Sequence, residues 1–178
     1  MRVVAGRYRG KKLKEFDIET TRPTLDRVKE SIFNLIQFDV PDSVVLDLFS
    51  GTGALGIEAI SRGAEKVIMV DSNKLAINVI KQNLVGIEGC YEVVQQDYET
   101  FLKTTDIKFD IVLLDPPYAT EFGINAINLL IERNLLNDKA IIIFETAYGK
   151  ELKLNEESFD ITIKKYGTVA VYKLIKKV

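Results

Sequence analysis

The chain has 178 residues, 47% hydrophobic and 28% charged, a composition that suits one globular domain able to bury a core without staples. It has no histidine and one cysteine, Cys90, which excludes histidine triads, histidine general bases, histidine metal sites, internal disulfides and multi-cysteine zinc sites. The net charge of −2 hides an asymmetry: residues 1–30 carry nine Lys/Arg against five Asp/Glu, and the remainder fifteen against twenty-one. A basic N-terminal arm on an acidic body suits a polyanionic partner. No run approaches the roughly 18 apolar residues of a membrane span, and no apolar signal stretch opens the chain, so a cytoplasmic protein is expected.

In chain order, Val3–Ala5 and Lys11–Phe16, separated by Gly6 and Gly10, predict a short hairpin. Leu25, Val28, Ile32 and Leu35/Ile36 then recur at helical spacing, with Pro23 and Thr24 at the start, Asp26 in the first turn and a stop before Pro41. Val44–Phe49 reads as an apolar strand, and the segment from Gly51 to Gly63 as a glycine-rich turn entering a helix. A strand over Lys66–Asp71, a helix over Asn73–Leu84, a strand over Tyr91–Asp97 and a strand over Phe109–Asp115 follow. Ile124–Leu136 reads as a helix and Ala140–Glu145 as a fifth strand. Strands this apolar are buried on both faces, as in a parallel sheet. Their alternation with helices predicts an α/β fold, a doubly wound Rossmann-like sheet with helices on both faces. The C-terminal stretch FDITIKKYGTVAVYKLI has two strands around Gly167 with no helix between, which predicts an antiparallel hairpin closing the sheet. The expected organisation is a basic hairpin and helix extension over residues 1–40 and the α/β domain over 41–178.

Gly51, Gly53 and Gly56 form G-x-G-x-x-G after a strand, and Asp71 ends the next strand. That is the dinucleotide fingerprint, so a NAD-binding oxidoreductase is one reading. Three features favour S-adenosylmethionine instead. Asp47, just before the turn, would repel a pyrophosphate and suits an amino group and a sulfonium. Asp97 follows the third strand, where an adenine amine could be met. The fourth strand runs into Asp115-Pro116-Pro117-Tyr118 at the carboxyl edge, where open α/β sheets bind ligands.

D-P-P-Y fits methylation of a base amine. Such an amine is a poor nucleophile and needs its lone pair aimed. Asp115 and the Pro116 carbonyl can accept its N–H groups, two prolines keep the backbone stiff, and Tyr118 offers a stacking face. The methyl donor arrives activated, so proximity and alignment suffice, without histidine or metal. Cys90 precedes the third strand and belongs at the opposite edge, which argues against a cysteine nucleophile.

D-L-F-S-G-T-G followed by D-P-P-Y resembles the class I S-adenosylmethionine-dependent methyltransferases that modify base amines. Together with RVVAGRYRGKKL, Thr21-Arg22-Pro23-Thr24-Leu25-Asp26-Arg27-Val28-Lys29-Glu30, LDLFSGTGALGIEAISRGA and YGTVAVY, the chain resembles, over nearly its whole length, the bacterial 16S rRNA guanine-N2 methyltransferase family. The resemblance implies a guanine of 16S rRNA as substrate, in the 30S subunit or its assembly intermediate, and a monomeric enzyme. It implies that Asp47, Ser50, Gly51 and Gly53 line the methionine end of S-adenosylmethionine, that Asp71 holds the ribose and Asp97 sits near the adenine, and that Ser72 and Tyr98 also bind the cofactor. Asp115, Pro116, Pro117 and Tyr118 would be catalytic. Arg7, Arg9, Lys11 and Lys12 would contact phosphates, with Arg22 and Arg27 near the active-site mouth. The family often has Glu at the place of Asp71, and A-G-S-G where this chain has S-G-T-G. The alternatives are an adenine-N6 or other base-amine methyltransferase on RNA or DNA, the oxidoreductase, and a non-catalytic RNA-binding module.

Overall fold

A computed structural model describes residues 1–16 and 24–178. The elements are α1 (Thr24–Leu35), β1 (Val44–Leu48), α2 (Ala54–Ser61), β2 (Lys66–Asp71), α3 (Lys74–Asn83), β3 (Tyr91–Gln95), α4 (Tyr98–Thr104), β4 (Phe109–Leu114), α5 (Phe122–Glu132), β5 (Leu136–Ala147), β6 (Phe159–Tyr166) and β7 (Val169–Lys176). The strands form one seven-stranded sheet in the order β3-β2-β1-β4-β5-β7-β6. Its first five strands are parallel, and β7 runs antiparallel between β5 and β6. Apolar runs bury the middle strands on both faces, as the continuous hydrophobicity predicts.

Side chains alternate between two cores. Val45, Met69, Leu113 and Ile143 meet α1, α2 and α3 on one face. Leu46, Val70, Leu114 and Phe144 meet α4 and α5 on the other. The first core continues across residue 40, because Val3, Leu13, Ile32, Phe33 and Ile36 belong to it. Strand order reverses between β1 and β4, which opens a crevice at their carboxyl ends.

Several boundaries differ from the sequence expectation. The N-terminal hairpin has only one ladder bridge, Arg2 to Lys12. It is held instead by α2. Glu58 is fully buried and accepts from the Val4 and Ala5 N–H groups at 2.9 and 3.0 Å. Glu58 also pairs with Lys29 at 3.3 Å and Arg62 at 2.9 Å. The third strand stops at Gln95, because Asp97 caps α4, a seven-residue helix too short to show a period. The helix expected to reach Leu136 ends at Glu132, and Asn134 turns the chain with φ 52° into a longer β5. Cys90 is exposed in the loop before β3. No helix among the described residues is long and apolar enough to cross a membrane.

Candidate active site

A cavity of about 730 Å³ opens at the carboxyl edge over the β1/β4 switch. One wall is the glycine turn after β1. Gly53, with φ 79°, starts α2 in the left-handed region that glycine tolerates best. At Gly56 a Cβ would lie 2.6 Å from Met69 Cγ, so only glycine lets α2 sit this close to β2. That approach brings the Gly56 N–H to Asp47 Oδ2 at 2.9 Å.

Ser50, Gly51, Asp71, Ser72, Asp97 and Tyr98 all line the cavity. Asp71 ties the turn to α3: its Oδ2 accepts the Gly51 N–H at 2.9 Å and its Oδ1 the Asn73 N–H at 2.8 Å. Asp97 caps α4 by accepting the Thr100 N–H at 2.8 Å, and this bond holds its carboxyl below the usual range. Asp47 and Gly53 stand behind the lining residues. Asp47 is buried, and burial, more than the nearby Asp71 charge, pushes its carboxyl up to about 7 against the opposing hydrogen bonds of Gly56 and Ser50.

Asp115, Pro116, Pro117 and Tyr118 form the facing wall. Past them, Thr120 donates from both N–H and Oγ1 to the Pro117 carbonyl, at 3.2 and 2.7 Å. Lys150 Nζ donates to the Thr120 carbonyl at 2.9 Å and clamps this turn to the end of β5. Asp115 is raised well above the usual carboxylate range, first by burial and then by the charges of Glu145 and Asp47.

Three contributors escape a reading of sequence alone. Glu145, at the end of β5, lines the cavity and accepts the Tyr118 hydroxyl at 2.7 Å. Burial raises its carboxyl, and the Tyr118 bond opposes that rise. Its signal was an acid closing an apolar strand. Phe49 has φ 66°, which costs a bulky residue about 1–2 kcal/mol. The turn sends its ring to Tyr98 and Phe122, with centroids 5.2 and 6.3 Å away, forming an apolar wall beside Asp97. Lys29 reaches the cavity from α1.

The basic arm meets the cavity only at its two ends. Its ends, Met1 and Phe16, line the cavity, while its tip packs on the far ends of two helices. Arg7 donates its N–H to the carbonyl of Ser61, the last residue of α2, and pairs with Glu88 at 2.7 Å. Lys11 Nζ donates to the Val85 carbonyl. Because α2 runs away from the glycine turn, this tip lies toward the opposite edge of the sheet. Arg9, Lys12 and Arg27 are exposed and form no ion pair among the described residues, and none of the five lines the cavity. Arg22 lies outside the described residues.

The chain matches, over residues 1–175, the family described as Conserved hypothetical protein 95. It is 38% identical to ribosomal RNA small subunit methyltransferase D of Haemophilus influenzae over 98% of this chain and 92% of that protein. The Escherichia coli K12 protein of the same name is 31% identical over 99% of this chain and 90% of its own length. The solved structure of yhhF from Escherichia coli superposes with a TM-score of 0.90 at 30% identity, covering 99% and 98% of the two chains. With the glycine turn and D-P-P-Y meeting across one cavity, the chain belongs to the ribosomal RNA small subunit methyltransferase D family.

Proposed function

We propose that this chain transfers a methyl group from S-adenosylmethionine to the exocyclic N2 of a guanine in 16S rRNA, in the 30S subunit or its assembly intermediate. The observation that carries the reading is the meeting of Asp115–Tyr118 and the Gly51–Asp71–Asp97 wall across one cavity. The donor set fits S-adenosylmethionine: Asp47 is buried with no cation in ion-pair contact among the described residues, as a site for a cationic ligand requires. Asp71 keeps a second lone pair on each oxygen for ribose hydroxyls, and the Phe49–Tyr98–Phe122 wall suits an adenine face. When bound, S-adenosylmethionine supplies a methyl group activated on a sulfonium.

Asp115 and the Pro116 carbonyl accept the amine's N–H groups and aim its lone pair. The Tyr118 ring, its hydroxyl tethered to Glu145, stacks the base taken out of its helix. As the N–CH3 bond forms, the sulfonium's S–CH3 bond would break to leave the thioether S-adenosylhomocysteine, and the proton shed by the amine would pass to the Asp115 carboxylate. Residues 1–40 act as an RNA-contact extension, with the exposed Arg9, Lys12 and Arg27 meeting phosphates of a folded RNA surface. The enzyme works as a monomer in the cytoplasm.

The test is radiolabel transfer from S-adenosylmethionine to 30S subunits from cells lacking the enzyme, with nucleoside mass spectrometry of the product. N2-methylguanosine is expected, and N6-methyladenosine would overturn the base assignment. Binding of NAD without S-adenosylhomocysteine in calorimetry would overturn methyl transfer. Asp115→Ala is expected to lose roughly 10²–10⁴-fold in rate while the fold and RNA binding persist. Unchanged transfer would remove Asp115 from its role.

A further inference from the structure

Glu145 is a buried acid whose tie to Tyr118 leaves half of its carboxylate unused. It is 6% exposed, lines the cavity, and forms no ion pair among the described residues. Its Oε1 accepts the Tyr118 hydroxyl, and no protein group among the described residues donates to Oε2. At the cavity wall such an atom is open to a donor on a ligand.

Strand register places this oxygen beside the amine-orienting group. Leu114 of β4 stands opposite Phe144 of β5, so Asp115 and Glu145 leave adjacent parallel strands at the same level. Leu113 and Ile143, two residues earlier, belong to the same core, so alternation sends both acids to that face. Adjacent strands lie about 4.8 Å apart, so the two acids leave the sheet side by side, near enough for the Glu145 charge to act on Asp115.

Base edges differ in the ring atom next to the target amine. Beside its N2 amine, guanine carries N1–H, a donor. Beside their amines, adenine and cytosine carry an unprotonated ring nitrogen, an acceptor. Two side-by-side carboxylates match two side-by-side donors and repel a lone pair. We propose that Glu145 selects guanine by accepting the N1–H next to the amine that Asp115 orients. This deepens the base-amine reading of the same site and rests on it. Tyr118 positions Glu145 by occupying Oε1, which leaves Oε2 for the base.

The experiment compares reconstituted 30S subunits carrying guanine or 2-aminopurine at the methylated position. 2-Aminopurine keeps the C2 amine but has an unprotonated N1. Wild type is expected to methylate guanine at least about tenfold faster, because a site built around a hydrogen bond rejects the analogue lacking it. Glu145→Gln keeps shape and the Tyr118 contact and replaces the free acceptor with an N–H donor. It is expected to narrow that preference about tenfold or more, with S-adenosylhomocysteine affinity and melting temperature maintained. Loss of the O6 contact in 2-aminopurine is shared by both enzymes and cancels in the comparison. An equal loss on both substrates, or an unchanged preference, would overturn the assignment of Glu145. Wild type failing on guanine itself would instead overturn the base-amine reading.

Discussion

Two groups of buried acids sit on the same face of this sheet and are treated in opposite ways. Glu58 is fully buried and surrounded by the Val4 and Ala5 N–H groups, Lys29 and Arg62. Asp47 and Glu145 are buried and Asp115 is half-buried, none has a cation in ion-pair contact among the described residues, and all three carboxyls are pushed upward. The first arrangement closes on itself and joins the N-terminal arm, α1 and α2. In the second, Asp115 and Glu145 line the cavity and Asp47 stands just behind its lining. An acid whose charge is met inside the protein holds structure, while acids whose charge is unmet await a ligand.

The strongest way to break the comparison is Glu58→Ala. It leaves Lys29 buried and unpaired and frees two backbone donors, so a loss of about 3–5 kcal/mol is expected in urea denaturation. A loss under about 1 kcal/mol would show that the network does not hold the arm.

Asp47→Asn should act with the opposite sign. The unfolded chain ionises this acid near 3.8, whereas the folded protein keeps its proton to about 7. Stability therefore falls as pH rises through that window, and the asparagine variant escapes the loss. At pH 8 the ligand-free variant is expected to be more stable by roughly 2–4 kcal/mol, with the gain vanishing near pH 4. S-Adenosylhomocysteine should bind wild type more tightly as pH passes upward through about 7, and bind the variant weakly. Equal stability of the two proteins at pH 8 would contradict the unmet charge.

The smallest effect belongs to the exposed arm. Arg9→Ala should leave the melting temperature unchanged and lower the salt slope of RNA binding by about 0.9, one phosphate contact. An unchanged slope would separate the arm's tip from the RNA.

Much of the site was legible because it is local. The glycine turn, Asp71, Asp97 and D-P-P-Y each end or follow a strand, and parallel strands deliver their carboxyl ends to one edge. What escaped was non-local or too short for periodicity. Glu145 becomes a partner of Tyr118 only through the β4/β5 register. Glu58 becomes a structural centre only because α2 faces the arm and α1. α4 spans seven residues, fewer than the spacing signal needs. The left-handed backbone of Phe49 has no sequence signature, since bulky residues rarely adopt it.

Taken alone, the sequence determined the order of the strands and of every helix but α4, the antiparallel closing hairpin and the family. These follow from hydrophobic period, turn chemistry and contiguous motifs, all carried by neighbours along the chain. Only the tertiary structure decided which charges are answered and which are left open, and that the tip of the basic arm packs on the far ends of α2 and α3, away from the cavity. Desolvation and ion pairing act through space, so residues as distant as Lys29, Glu58, Asp115 and Glu145 acquire their meaning only once the sheet brings them together.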